Sequence, residues 1–234
     1  LIVGAGVSGI TCAIKCQDIG INYLLIDKNS RAGGRLGSIY DSGYIFDIGF
    51  QVFNTSYEIT KQYLDLNQLD LHFFKPGSAI YSDKKFTIIS DPLRDFGQIF
   101  NTLFSKIPTL ADKIRILKLK FSLSNYVIEE DKSKDQETIV FLKEYGFSEN
   151  MISQFFAPFF AGIFLENKLS TSSKFFKYVF SKFGKGLASL PSNGMQEIPE
   201  NMLRRVNRDN VFLNCELENI TKDKKVKLKD GTTI

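Results

Sequence analysis

The sequence predicts an α/β fold, and three observations carry that expectation. The first 28 of its 234 residues run apolar strand, glycine turn, amphipathic helix and second apolar strand. After Leu190 the same style returns. Between the two, from Asp91 to Phe183, apolar residues recur at helical spacing, so a mainly helical insert interrupts one α/β domain built from both ends of the chain.

Leu1, Ile2 and Val3 form a continuous apolar strand, as expected where both faces of a parallel sheet are covered. GAGVSG (4–9) makes the turn. Ile10, Ala13, Ile14 and Gln17 share a helix face, with Gly20 as its C-cap, and NYLLID (22–27) is the second buried strand. Residues 29–56 read as Gly- and Ser-rich loop with short strands, in which Tyr44, Phe46 and Ile48 alternate. The apolar spacing of Ile59, Tyr63, Leu64 and Leu66 predicts a helix over 57–66. Strands follow at 71–75, 78–82 and 85–90, separated by Pro76-Gly77 and Asp83-Lys84 turns. Asp91-Pro92 is a helix start, and helices are expected over 93–104, 110–128, 138–145 and 148–156. The charge run EEDKSKDQE (129–137) reads as a solvated loop rather than a docking site. Beyond the PSNGM loop come a helix over 196–206, a strand at 211–214 and a final hairpin. That hairpin stops in its return strand, which predicts an internal fragment of a longer protein. The expected domains are 1–70, 71–185 and 186–234.

Composition narrows the function. Hydrophobic residues make up 43% and charged residues 24%, which excludes a disordered or fibrous chain. A net charge of +4 is too slight for a nucleic-acid footprint. One histidine, His72, rules out most His-based metal sites, and it reads as a structural or surface residue. Three cysteines without CxxC spacing argue against a disulfide framework and for a reducing, cytoplasmic compartment. Cys12 and Cys16 lie one helical turn apart and read as free thiols rather than a redox pair. No segment reaches the roughly 20 apolar residues of a membrane span.

The chemistry begins at Gly4, Gly6 and Gly9, which fit GxGxxG between a buried strand and a helix. Gly4 permits the tight turn, Gly6 lets a pyrophosphate approach the backbone, and Gly9 lets helix and strand pack closely. The helix N-terminus offers N–H groups and partial positive charge, and the Ser8 hydroxyl adds a donor. Asp27, at the end of the next strand, suits ribose hydroxyls and repels a 2′-phosphate. Downstream, Gly33-Gly34 followed by Arg35 supplies a second clamp for the same pyrophosphate, which a nicotinamide site does not need. FDIGFQVF (46–53) then sets Asp47, Gly49 and Gln51 at a strand end, where Gly49 lets the backbone pass close to a ring system.

GAGVSG, Asp27, AGGR (32–35) and FDIGFQ together resemble the flavin-containing amine oxidase superfamily, which includes amine oxidases, protoporphyrinogen oxidases and phytoene-type carotenoid desaturases. The resemblance resumes at LPSNGMQEIPENM (190–202) and VFLNCELENI (211–220). It implies a Rossmann-type FAD-binding domain with an inserted mixed strand/helix substrate domain, the closing C-terminal motif lying beyond the chain. It implies FAD lined by Gly4, Gly6, Val7, Ser8 and Gly9 at the pyrophosphate, and Asp27 and Lys28 at the ribose. Gly34 and Arg35 would meet the phosphates and flavin edge, Gly49, Phe50 and Gln51 the isoalloxazine, and Leu217 the adenine. The implied activity is two-electron oxidation of a small-molecule substrate, with oxygen or a quinone as acceptor. The alternatives are a desaturase, isomerase or protoporphyrinogen-type oxidase on a bulky apolar substrate, and a dinucleotide-binding module without turnover. The phenylalanines between 155 and 183 read as packing before a substrate wall or a membrane contact, and Lys174, Lys177, Lys182 and Lys185 as a solvated face.

Overall fold

A computed structural model of the protein describes residues 1–49, 52–75, 77–82, 84–90, 109–223 and 225–233. The chain forms two compact units, Leu1–Phe73 with Ser189–Ile234, and Phe74–Ala188. The helix expected over 93–104 and its Asp91-Pro92 start lie outside the described residues.

The first unit is built on β1 (Ile2–Val3), α1 (Val7–Asp18) and β2 (Leu25–Ile26), joined by β10 (Val211–Phe212). These three strands make one parallel sheet in the order β1-β2-β10, with Ile2 beside Leu25 and Val211 on its other side. α1 forms where Ile10, Ala13 and Ile14 fall on one face, and all three are buried. It ends in a Schellman motif: Gly20, at φ +71°, donates its N–H to the Gln17 carbonyl, and Ile21 donates to Cys16. Gln17 leaves the core face and joins three partners, accepting from the Tyr23 hydroxyl and the Asn207 N–H and donating to the Arg205 carbonyl. The outer face of β1 departs from expectation. Val3 is 53% exposed, whereas its sheet partner Ile26 is buried against Val226 and Leu228.

A hairpin of β3 (Ser38–Asp41) and β4 (Tyr44–Asp47) turns at Ser42-Gly43, both at positive φ. β5 (Phe53–Asn54), β6 (Leu71–Phe73) and β9 (Ala188–Pro191) make a second sheet in the order β5-β9-β6, with His72 exposed and opposite Leu190. The helix expected over 57–66 is two 3-10 turns, Glu58–Gln62 and Leu66–Gln68. The break at Asp65 has a tertiary cause. The buried Asn201 side chain accepts from the Asp65 N–H at 2.9 Å and donates to its carbonyl at 3.1 Å, and the Asp65 carboxylate caps the second turn. β11 (Leu217–Ile220) and β12 (Val226–Leu228) close the unit, and Gly231 turns the chain back beside β12.

The second unit opens with the hairpin of β7 (Gly77–Ser82) and β8 (Lys85–Ser90), then turns helical. α2 (Leu110–Ser122) starts on a capping box between Thr109 and Asp112. α3 (Thr138–Glu144) follows, then α4 (Glu149–Met151), which runs through a π turn at Ile152–Phe156 into α5 (Ala157–Phe164). α6 (Ser173–Lys185) ends the unit, and α7 (Glu197–Leu203) belongs to the first. Phe156, Phe160 and Phe176 are each at most 1% exposed and form the centre of one apolar cluster, with ring centroids 4.7–6.3 Å apart. These three rings are therefore core, and the wall reading does not hold for them.

The charge run at 129–137 is largely solvent-exposed, as expected, but Asp131 within it is anchored to the helices. Asp131, only 11% exposed, accepts from the Tyr126 hydroxyl at 2.8 Å and pairs with Lys177 at 3.0 Å, while Asp135 accepts from the Ser172 hydroxyl. Lys174 donates to the Asp131 carbonyl, and the Lys177 ammonium lies over the Phe141 ring. Burial pushes the Asp131 carboxyl up, but bonds from Ser133, Tyr126 and Lys177 outweigh it and hold the group well below the usual carboxylate range. A depressed folded-state pKa gives stability that is complete above the unfolded value and is lost as pH falls towards the folded one. Urea titrations at neutral and acid pH should show the unit losing stability on acidification, and Asp131→Asn should flatten that slope while lowering stability at neutral pH. An unchanged slope would remove Asp131 from the account.

Candidate cofactor site

The glycine turn and the second glycine loop meet. Gly33 donates its N–H to the Ala5 carbonyl at 2.7 Å, and Gly6 and Gly33 form a parallel bridge. The turn is tied to the sheet as well, because Gly4 donates to the Ile26 carbonyl at 2.7 Å. A Cβ on Gly9 would run into the Gly4 carbonyl oxygen, so α1 crosses its own entry strand at a distance only glycine allows. At Gly6 the reverse holds: the backbone is extended, and a Cβ would meet nothing within 4 Å.

The N-terminus of α1 has no side-chain cap and no acid in its first turn, and Val7 and Ser8 are exposed there. Its partial positive charge is thus left for an anion. Arg35 is exposed on the loop that Gly33 anchors, and it has no partner among the described residues. Open space beside Gly6, an uncapped helix end and an uncommitted guanidinium fit a dinucleotide diphosphate.

Asp27 is buried and occupied. One carboxylate oxygen accepts from the Ala5 N–H at 2.7 Å, and the other accepts from the Asn29 backbone and side chain. It therefore fixes the glycine turn from below, a role the motif alone does not reveal. Its own backbone is held between Phe212 and Cys215. Leu217 stands beside this strand end, packed on Ile26 and Leu228, and Lys28 is exposed next to Asp27.

Gly34, at φ +58°, lies against Gly6. Gly49 passes close to the Arg35 backbone, where a Cβ would strike the carbonyl oxygen; its smallness serves the chain itself. Phe50 and Gln51 lie outside the described residues. Sequence reasoning missed the brace behind the second loop. Arg31 donates to the Gln196 side chain at 3.0 Å and to the Gly34 carbonyl, and Gln196 donates to Ala32. Ser38 bonds Asp47 at 2.5 Å, and Asp47 accepts from the Met195 N–H. A charged Arg31 three residues before Gly34 and an acid ending β4 were the available signals.

The thiols are free. Cys12 is exposed, and burial pushes the Cys16 thiol up with Cys12 beside it adding to the rise, so Cys16 is less thiolate than an ordinary cysteine. Among the described residues no group of three or more His, Cys, Asp or Glu side chains could hold a metal, and no helix is long and apolar enough to cross a membrane.

Comparison with known proteins decides the family. The family model described as flavin containing amine oxidoreductase matches residues 7–234. The chain belongs to that family. Its cofactor is FAD, and the family is one of flavin-containing oxidoreductases. A carotenoid 3,4-desaturase from Haloarcula japonica is 33% identical over 92 residues, covering 34% of this chain and 19% of that protein. Protoporphyrinogen oxidase 2 of Arabidopsis thaliana is 24% identical over 175 residues, covering 74% of this chain and 34% of its own length. The chain thus spans a fifth to a third of these relatives. A putrescine oxidase structure superposes with a TM-score of 0.66 at 18% identity, over 99% of this chain and 54% of that one, which shows a shared fold.

Proposed function

We propose that the whole protein oxidises a small, predominantly apolar substrate by two electrons. When bound, FAD would supply the two-electron redox chemistry, with oxygen or a quinone as the final acceptor. The observation that carries the reading is the contact of the two glycine loops beneath an uncapped helix end with Arg35 left unpaired.

In this reading the α1 N-terminus, with Val7 and the Ser8 hydroxyl, binds the diphosphate through N–H and O–H donors, and Gly6 keeps the approach clear. Arg35 adds a charge-assisted fork from the other side. Asp27 holds the turn through Ala5 and turns its remaining acceptor capacity, with Lys28, towards the ribose; Leu217 flanks the adenine. Gly34 would meet the phosphates and Gly49 the flavin ring. The first unit is then the FAD domain and the second the substrate domain. The carotenoid and protoporphyrinogen relatives support a bulky, largely apolar substrate. The free cysteines support a cytoplasmic location.

The test is spectroscopic. The purified protein should carry visible flavin absorption or acquire it on adding FAD, and a conjugated substrate should bleach it anaerobically. Arg35→Ala should weaken FAD binding by roughly 10- to 100-fold, the worth of a charge-assisted bond of about 1.5–3 kcal/mol. A preparation that stays colourless with added FAD overturns the assignment; bound flavin that no substrate bleaches favours a binding module without turnover.

A further inference from the structure

Arg31 sits inside the loop that it helps to form. Its guanidinium donates to the Gly34 carbonyl at 3.2 Å and to the Gln196 side chain at 3.0 Å, so both terminal nitrogens are committed within the protein. It also lies against Gly37, where an added Cβ would run into the guanidinium. Residues 31–37 therefore close around one planar, permanently charged group. Gln196 carries that group from a point 165 residues later in the chain. It stands at the start of α7, is only 5% exposed, and has every polar part engaged. Its N–H donates to the Ser38 hydroxyl at 3.1 Å, its amide nitrogen donates to the Ala32 carbonyl at 3.0 Å, and its amide oxygen accepts from Arg31. Behind the loop, Gly33 backs onto Pro199 of the same helix, leaving no room for a side chain.

The bond to Gly34 has a consequence one atom further on. In a planar trans peptide the C=O and the following N–H point in opposite directions. Turning the Gly34 carbonyl in towards Arg31 therefore turns the Arg35 N–H away from it. That N–H has no acceptor among the described residues, and neither has the exposed Arg35 guanidinium. Gly34 itself lies against Gly6, on the side of the first loop that is kept clear. Resting on the cofactor reading above, we infer that Arg31 is a positioning residue for the dinucleotide. Held by Gln196, it orients the Gly34–Arg35 peptide so that the Arg35 N–H and side chain are presented to the diphosphate. It acts through hydrogen-bond geometry, and its own charge does not meet the ligand.

Titration of the whole protein with FAD, followed by flavin fluorescence, tests this. Arg31→Ala should weaken binding about ten-fold, the worth of one well-placed hydrogen bond to a charged ligand. Arg31→Lys keeps the charge but loses the planar fork, so it should weaken binding nearly as much. Gln196→Leu should do the same, and the double variant should bind no more weakly than either single one, because both cut one latch. Salt separates the two arginines: Arg35→Ala should flatten the fall of affinity with ionic strength, whereas Arg31→Ala should keep the wild-type slope. At saturating FAD the visible circular dichroism of the bound flavin should change in Arg31→Ala. A purely structural loss would lower the melt and leave that band as in the wild type. Wild-type affinity in Arg31→Ala or Arg31→Lys, beside a weakened Arg35→Ala, overturns the inference and leaves the cofactor reading standing. So does a flattened salt slope in Arg31→Ala, which would place its charge on the phosphates, or a double variant whose two losses multiply. Wild-type protein that binds no FAD overturns both. If Gln196→Leu does not fold, the two Arg31 variants and the flavin spectrum decide, since Arg31 is only part-buried.

Discussion

Gly6→Val should leave the protein folded and strip it of FAD. The Gly6 backbone is extended, a conformation valine adopts readily, and a Cβ there meets no protein atom within 4 Å. Its methyls would instead fill the space over the helix N-terminus. Losing even two charge-assisted bonds of about 1.5–3 kcal/mol each costs at least about a hundred-fold in affinity. Gly9→Val is the companion variant with the opposite signature. Its Cβ collides with the Gly4 carbonyl, so it should lose about 3 kcal/mol of stability and bind little cofactor because the turn itself is displaced. Denaturant melts and flavin titration on both variants separate a blocked site from a broken one. If Gly6→Val retains wild-type affinity, the diphosphate lies elsewhere.

Phe156→Ala should cost about 3–5 kcal/mol, enough to unfold the second unit at physiological temperature in a protein of ordinary stability. The ring is fully buried and meets Phe147 edge-on at 4.8 Å, and it also touches Phe155, Phe160 and Phe176. A substrate wall would behave differently: truncation there would change turnover and substrate range while barely moving the melt. Urea unfolding followed by circular dichroism gives the answer directly. A loss below about 1 kcal/mol would restore the wall reading.

These results bear on what the amino acids disclose by themselves. GAGVSG was legible because its chemistry is local: the turn, the helix face of Ile10, Ala13 and Ile14, and the Gly20 stop are all written within one stretch. The pairing of the two glycine loops followed from their shared ligand, although the link itself, Gly33 to Ala5, is a backbone bond with no residue signature. Where distant groups intervene, local pattern misleads. The apolar spacing at 57–66 is helical, yet Asn201 takes the Asp65 backbone and splits the segment in two. The acidic run at 129–137 is solvent-facing as its pattern reads, except that Asp131 takes its counter-charge from Lys177, on a helix more than forty residues later. Asp27 illustrates the same limit inside the site: its position was foreseen, its bond to Ala5 was not.

The sheet order has a consequence for how the molecule is made. β2 lies between β1 and β10, so its second neighbour, Val211–Phe212, is synthesised only after the whole of the helical unit. A nascent chain on the ribosome can complete the phenylalanine core while the first strands still present one unpaired edge to solvent. Closing that long loop costs entropy before any native hydrogen bond repays it, which slows assembly of the sheet. Truncations that end before residue 211 should therefore be chaperone clients, holding a finished inner unit and a nucleotide cradle that cannot set.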